Sequence, residues 1–214
     1  MERHDMKILH TDSSALGADS ASRALTGAIV RALRAASPTA EQTYCDVASP
    51  PLSSVDGPLL NILRPRGAEA PPVTPQLRPE VDLAEVLLTE FLAADVVVIG
   101  APMYNFSVPS TLKAWIDRIV LPRRTFTYGA DGPQGLVQNK RVIIVSTRGG
   151  QLIGQPYETA IDHQEAYLRA VLNFIGVTDI TFVRAESLGL GPEARAASMD
   201  AALPQAATLF ATAA

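Results

Sequence analysis

Two short segments constrain this chain more than anything else in it. Asp95-Val-Val-Val-Ile-Gly100 and Arg141-Val-Ile-Ile-Val-Ser146 carry Val or Ile at every interior position, with no polar alternation. A strand that is apolar on both faces has to be covered on both faces, which is the situation of a central strand in a parallel sheet between two layers of helices. Lys7-Ile-Leu-His-Thr11 and Asp179-Ile-Thr-Phe-Val183 read as further strands. Glu41 to Asp46 is a weaker one, in which Thr43 and Tyr44 supply the β-propensity. Helical periodicity fills the gaps between them. Leu25, Ala28, Ile29, Ala32 and Leu33 form one apolar stripe, and Leu112, Trp115, Ile116, Ile119 and Val120 form another, with Pro109 placed to open that helix. Glu80 to Leu92 and Glu158 to Ile175 are expected helices, the second closed by Gly176, and Pro192 opens a last helix in the Ala-rich tail. Alternation of this kind implies right-handed crossovers. The expected fold is α/β, a three-layer sandwich with a five-stranded parallel sheet and helices on both faces.

Two stretches interrupt the alternation. Residues 50–79 hold 8 of the 16 prolines, yet Leu52, Leu59, Leu60, Ile62 and Leu63 give the first half something to bury, so an ordered excursion is expected there. Residues 121–138 contain Thr125-Phe-Thr-Tyr128 followed by Gly-Ala-Asp-Gly-Pro, the composition of a short hairpin hung between a helix and a strand. With 214 residues and no internal repeat, residues 7–214 are expected to form a single domain behind a tail at 1–6.

Charge and cysteine usage exclude several functions. The chain is 47% hydrophobic and 19% charged, enough apolar material for a full core. A net charge of −4 argues against a general nucleic-acid or anionic-membrane binder. Cys45 is alone, and His4, His10 and His163 are scattered without ligand spacing, so no metal site is expected. The charged N-terminus is followed by no apolar signal core, and Val96 to Gly100 is far too short to span a bilayer, which points to a soluble, cytoplasmic protein.

In an open α/β sheet a ligand sits beyond the carboxyl ends of the strands, where the strand order reverses, so the segments after each strand matter most. Thr11-Asp-Ser-Ser-Ala-Leu-Gly-Ala-Asp-Ser-Ala-Ser22 lacks both a dinucleotide fingerprint and a P-loop. It offers hydroxyls (Ser13, Ser14, Ser20, Ser22) and the amide end of a helix, which together can hold a phosphate without a lysine. Ser20 or Ser22 would serve equally well as a plain helix cap. Ala101-Pro-Met-Tyr-Asn-Phe-Ser-Val-Pro-Ser110 has the composition of a rigid loop able to read the edge of a planar heterocycle. In Ser146-Thr-Arg-Gly-Gly150 the paired glycines let backbone approach a ligand, and Arg148 is either a surface charge or a ligand contact. A serine hydrolase is disfavoured, because Gly-x-Ser-x-Gly is absent and His163 falls inside the expected 158–175 helix.

These loops resemble those of the FMN-dependent NADH-azoreductases, also described as FMN-dependent NADH:quinone oxidoreductases, of the flavodoxin-like fold. The resemblance rests on Ser13-Ser14…Ser20-Ala-Ser22, Pro102-Met-Tyr-Asn-Phe106 and Arg148-Gly-Gly150. Phe126-Thr-Tyr128…Gly132-Pro-Gln-Gly135-Leu-Val and Asn173-Phe-Ile-Gly176-Val-Thr-Asp add to it. It implies FMN, tightly but not covalently bound, with Ser14, Ser20, Ala21 and Ser22 at the phosphate. Met103, Tyr104, Asn105 and Phe106, with Thr147, Arg148, Gly149 and Gly150, would hold the isoalloxazine. Two departures stand out: Ala21 where the family can have a polar residue, and Thr147 where it has Ser. The resemblance further implies NADH as reductant, quinones and azo compounds as acceptors, ping-pong kinetics and a homodimer. No protein side chain acts as acid, base or nucleophile, since the cofactor carries the chemistry. Asn105, Phe106, Tyr128 and Arg64 are the expected substrate-pocket residues. The competing reading is a flavodoxin-type FMN electron carrier, or a flavin-binding regulator, without small-substrate turnover; the modest net charge and two long loops favour an enclosed pocket instead.

Overall fold

A computed structural model describes residues 5–67 and 71–209, so of the N-terminal tail only Asp5 and Met6 are described. Among the described residues seven strands run in chain order: β1 (Lys7–Asp12), β2 (Glu41–Asp46), β3 (Val96–Pro102), β4 (Phe126–Gly129), β5 (Gly132–Gly135), β6 (Arg141–Thr147) and β7 (Asp179–Ala185). Five of them form a parallel sheet in the order β2-β1-β3-β6-β7, while β4 and β5 pair as a separate antiparallel hairpin. The helices are α1 (Ala21–Ala36), α2 (Gly57–Leu63), α3 (Arg78–Ala93), α4 (Ser110–Ile119), α5 (Glu158–Ile161), α6 (Glu165–Phe174) and α7 (Pro192–Thr208). No helix among the described residues is long and apolar enough to cross a membrane.

The apolar strands fulfil the two-faced requirement residue by residue. Val97 and Ile99 of β3, with Val142 and Ile144 of β6, face a core containing Leu88 and Phe91 of α3, Trp115 of α4 and Leu172 of α6. The alternate residues Val96, Val98, Ile143 and Val145 face the opposite core, with Leu25, Ile29 and Leu33 of α1 and Ala202 and Ala206 of α7. From β1 the chain goes to β2 on one side and β3 on the other, so the strand order reverses beyond the carboxyl ends of β1 and β3.

The proline-rich excursion is ordered in its first half, and its anchor is a charge. Arg118, on α4 and fully buried, donates to the Ser53 carbonyl (2.8 Å), to Ser53 Oγ (2.9 Å) and to Glu80 Oε2 (2.6 Å). Asp56 caps α2, whose Leu59 is buried. Residues 68–70 of the excursion lie outside the described residues. The hairpin docks where two glycine backbones meet: a Cβ on Gly135 would lie 2.2 Å from the Gly176 nitrogen. The Val137 amide donates to the Ile175 carbonyl beside that contact (2.9 Å).

One expected element differs. The helix read over 158–175 is broken into α5 and α6 at Asp162-His163-Gln164. Asp162 Oδ1 accepts from the Gln164 and Glu165 amides (2.9 and 3.0 Å) and restarts the helix. The Gln164 side chain, fully buried, is drawn toward the sheet, donating to the Ala101 carbonyl (2.8 Å) and accepting from Ser146 Oγ (2.9 Å). His163 therefore lies in the break and not inside a helix, contrary to the sequence argument used against a hydrolase.

Candidate functional site

Three loops meet at the strand-order reversal. In the first, Ser13 Oγ donates to the Gly100 carbonyl (2.6 Å). Gly100 leaves room for the carboxylate of Asp12: a Cβ there would lie 2.6 Å from Asp12 Oδ1. Ser14 Oγ accepts from the Leu16 amide (3.3 Å), and Ser20 caps α1 by accepting from the Arg23 amide (3.3 Å). The plain capping role is thus real for Ser20, whose hydroxyl also lies 3.0 Å from that of Ser22. Ala21 and Ser22 open α1, and amides in a first helical turn have no partner inside their own helix. Arg23, which the sequence reading did not single out, braces this loop: it grips both oxygens of Asp46 (2.7 and 2.8 Å) and donates to the Ser14 carbonyl (2.9 Å). Burial works against the charge on Asp46, yet hydrogen bonds from Arg23 and the Ala48 amide outweigh it and hold the carboxyl below its ordinary range. Burial and the Asp12 charge push the Tyr44 phenol up to about 12.

The second loop is a strained turn. The amides of Tyr104 and Ser107 bond each other's carbonyls (2.9 and 3.1 Å), and the two residues between them are left-handed, Asn105 at φ 47 and Phe106 at φ 71. Asn tolerates that region; a bulky aromatic does not adopt it without cost. The surroundings hold it there, since the Phe106 carbonyl accepts from the His163 amide (3.0 Å) and the Met103 amide extends the ladder to the Thr147 carbonyl (2.8 Å). Strain of this kind gathers at functional sites. Tyr104 ties the first two loops together, its hydroxyl accepting from the Ala15 amide (3.2 Å).

The third loop turns on Arg148-Gly149-Gly150. The Gly149 and Gly150 carbonyls accept from the Gly189 and Ser187 amides (2.8 and 2.9 Å). Among the described residues no hydrogen bond engages their own N–H groups, and both glycines are exposed. Arg148 is not a surface charge. It is 3% exposed and bonded to Asp162, Glu165 and Glu186.

Between the second and third loops lies a cavity of about 370 Å³, lined by Met103, Asn105, Phe106, Arg148, Gly149 and Gly150 together with Gln151, Leu152, Tyr157 and Ile161. The first six were singled out by the sequence and the last four were missed. Gln151 and Leu152 simply continue the glycine loop, whereas Tyr157 and Ile161 stand at the two ends of α5. Ser14, Ser20, Ala21 and Ser22 cluster separately at the start of α1, joined to the cavity through Tyr104, with Thr147 in β6 behind it. Tyr128 and Arg64 are not in the lining. Tyr128 is 71% exposed on the hairpin, and the Arg64 guanidinium donates to the Val120 carbonyl (2.9 Å). No group of three or more His, Cys, Asp or Glu among the described residues is arranged to hold a metal.

The family model described as flavodoxin-like fold matches residues 6–209. An FMN-dependent NADH:quinone oxidoreductase of Azospirillum brasilense is 52% identical over 197 residues, 92% of this chain and 94% of that protein. One from Rhizobium meliloti (strain 1021) is 52% identical over 188 residues, 88% of this chain and 89% of its own. Among solved structures, the azoreductase from Bacillus anthracis str. Sterne superposes with a TM-score of 0.85 at 26% identity, covering 96% of this chain and 98% of that one.

Proposed function

The chain belongs to the flavodoxin-like family of FMN-dependent NADH:quinone oxidoreductases, and on that premise we propose that it passes two electrons from NADH through bound FMN to quinones and azo compounds. The observation that carries this reading is the joining of two different donor sets at one sheet edge. At the start of α1 stand neutral hydroxyls and free helix amides, suited to a phosphate monoester. Beside them is a cavity within the size range of small-molecule sites, lined by Gly149 and Gly150, an Asn and aromatic residues. A Cβ on Gly149 or Gly150 would meet nothing within 4 Å, so the backbone there stands open to a planar ring. The residues present therefore fit FMN.

FMN supplies the redox chemistry, taking up and giving back two electrons and a proton-equivalent as hydride. The protein's residues bind and orient. Ser14, Ser20 and the amides of Ala21 and Ser22 would hold the phosphate. Met103 to Phe106 and Thr147 to Gly150 would frame the isoalloxazine, Arg148 through its fold rather than its charge. The Gly149 and Gly150 N–H groups are preorganised donors for the negative charge that reduction brings, which lowers the cost of holding the reduced state. Phe106 and Tyr157 offer faces for a planar acceptor and demand little hydrogen-bond fidelity of it.

Residues 7–214 are read as one FMN-binding domain behind a short tail, in a cytoplasmic homodimer. Leu16, Phe106 and Tyr157 around the site and Tyr128 on the hairpin are all exposed, an apolar set that a second copy would cover. In that assembly Tyr128 and Arg64 would complete a substrate pocket that neither reaches within one chain. The test of the site is Asn105→Gly, which suits the positive φ and removes only the side chain. Quinone reduction should be lost while FMN stays bound, and unchanged turnover would take Asn105 out of the site.

A further inference from the structure

Behind the cavity lies a cluster of five charged side chains that the reaction as described does not use, buried at Arg148 and Glu165, half-buried at Asp162 and Glu186 and exposed at Arg184. Arg148 Nη2 donates to Asp162 Oδ2 (2.8 Å) and Glu165 Oε1 (2.9 Å), and Arg148 Nη1 to Glu186 Oε1 (3.1 Å). Arg184 shares Glu165, reaching its Oε2 through Nη2 (2.7 Å). Two cations and three carboxylates thus join the exits of β6 and β7 to the break between α5 and α6. Arg148, Glu186 and Asp162 each lead to a wall of the cavity. Arg148 is followed directly by Gly149 and Gly150. Glu186 Oε1 accepts the amides of Leu152 and Ile153 (both 3.1 Å), fixing the far end of the glycine loop. Asp162 restarts α6 and adjoins His163, whose amide holds the Phe106 carbonyl of the strained turn. Structural support alone would not require so many charges to converge on the loops that line one cavity.

We propose that Arg148 and Glu186 are positioning residues that aim the Gly149 and Gly150 N–H groups at the cofactor and so raise its reduction potential. This rests on the FMN reading given above. Two effects of Glu186 oppose each other and can be separated by sign. Its field, like that of the cluster with its excess carboxylate, disfavours the negative charge of the reduced flavin, so field alone predicts a higher potential once the charge is removed. Its grip on the loop keeps the donors aimed, so positioning predicts a lower one.

The midpoint potential of the FMN-loaded protein, titrated anaerobically against reference dyes, decides between them, with FMN dissociation constants measured in both redox states. Glu186→Ala should bind reduced FMN about tenfold less well relative to oxidised FMN, a fall of about 30 mV for a two-electron couple. Glu186→Gln, which keeps an oxygen for the Leu152 and Ile153 amides, should recover most of that loss. Glu186→Asp conserves the charge and shortens the reach, so it carries the test by itself if the Ala variant fails to fold, and its potential should also fall. An unchanged or raised potential in both the Ala and Asp variants overturns the proposal. Failure of the unaltered chain to bind FMN overturns the cofactor reading, and this inference with it.

Discussion

Replacing Phe106 by Gly should leave the protein more stable than replacing it by Ala, the reverse of the usual order. The two variants lose the same ring, so its burial cancels in the comparison, and at a half-exposed position a methyl group recovers little. What remains is the backbone. At φ 71 an L-residue bears the left-handed penalty of about 1–2 kcal/mol, which Gly escapes. Gly loses more chain entropy on folding, about 0.5–1 kcal/mol. The difference favours Gly by roughly 0.5–1 kcal/mol. Urea unfolding of the two apoproteins measures it directly, provided both transitions share one slope. An Ala variant as stable as the Gly variant, or more so, would refute the claim that the Tyr104–Ser107 turn holds Phe106 under strain.

Other perturbations test other joints. Gly135→Ala would press a Cβ into the Gly176 backbone at 2.2 Å, where no side chain can yield. A loss of about 3 kcal/mol or more is expected, with the hairpin undocked and its amides exchanging early; a neutral result would mean the hairpin is not seated there. Arg118→Met should leave the sheet folded but free residues 50–67, seen as rapid proteolytic nicking in that segment; resistance equal to that of the unaltered chain would contradict the anchor. Lys140 reaches the carbonyls of Leu92 and Ala94 at the end of α3, and burial pulls its pKa down from 10.5 to about 8. The unfolded chain therefore binds more protons between about pH 8 and 10.5, so the burial penalty is full below pH 8 and fades as pH rises. The stability difference between Lys140→Met and the natural chain should change across that window by up to roughly 3 kcal/mol, and a flat difference would contradict the shift.

Much of the fold was legible because it is written in local periodicity. Val96 to Ile99 and Val142 to Val145 announce a sheet covered on both faces without reference to any partner, and the Gly-Ala-Asp-Gly-Pro run marks the hairpin. The parts that were not legible depend on residues far apart in sequence. Nothing in Ile161-Asp-His-Gln164 breaks helical spacing; the break exists because Gln164 finds Ala101 and Ser146, and Asp162 finds Arg148. That Arg148 is buried among carboxylates is silent for the same reason, since residues 162, 165 and 186 form no motif. The strain in Phe106 is equally silent in the sequence, which shows an aromatic but not its φ.

The central claim is that the three loops hold FMN and that the bound flavin relays electrons from NADH to a small acceptor. An absorption spectrum of the purified protein, loaded with FMN and kept anaerobic, tests it in one cuvette. Flavin bands that bleach on adding NADH and return on adding benzoquinone are what the account predicts. Bands that persist after NADH, or a protein that takes up no FMN at all, would contradict it.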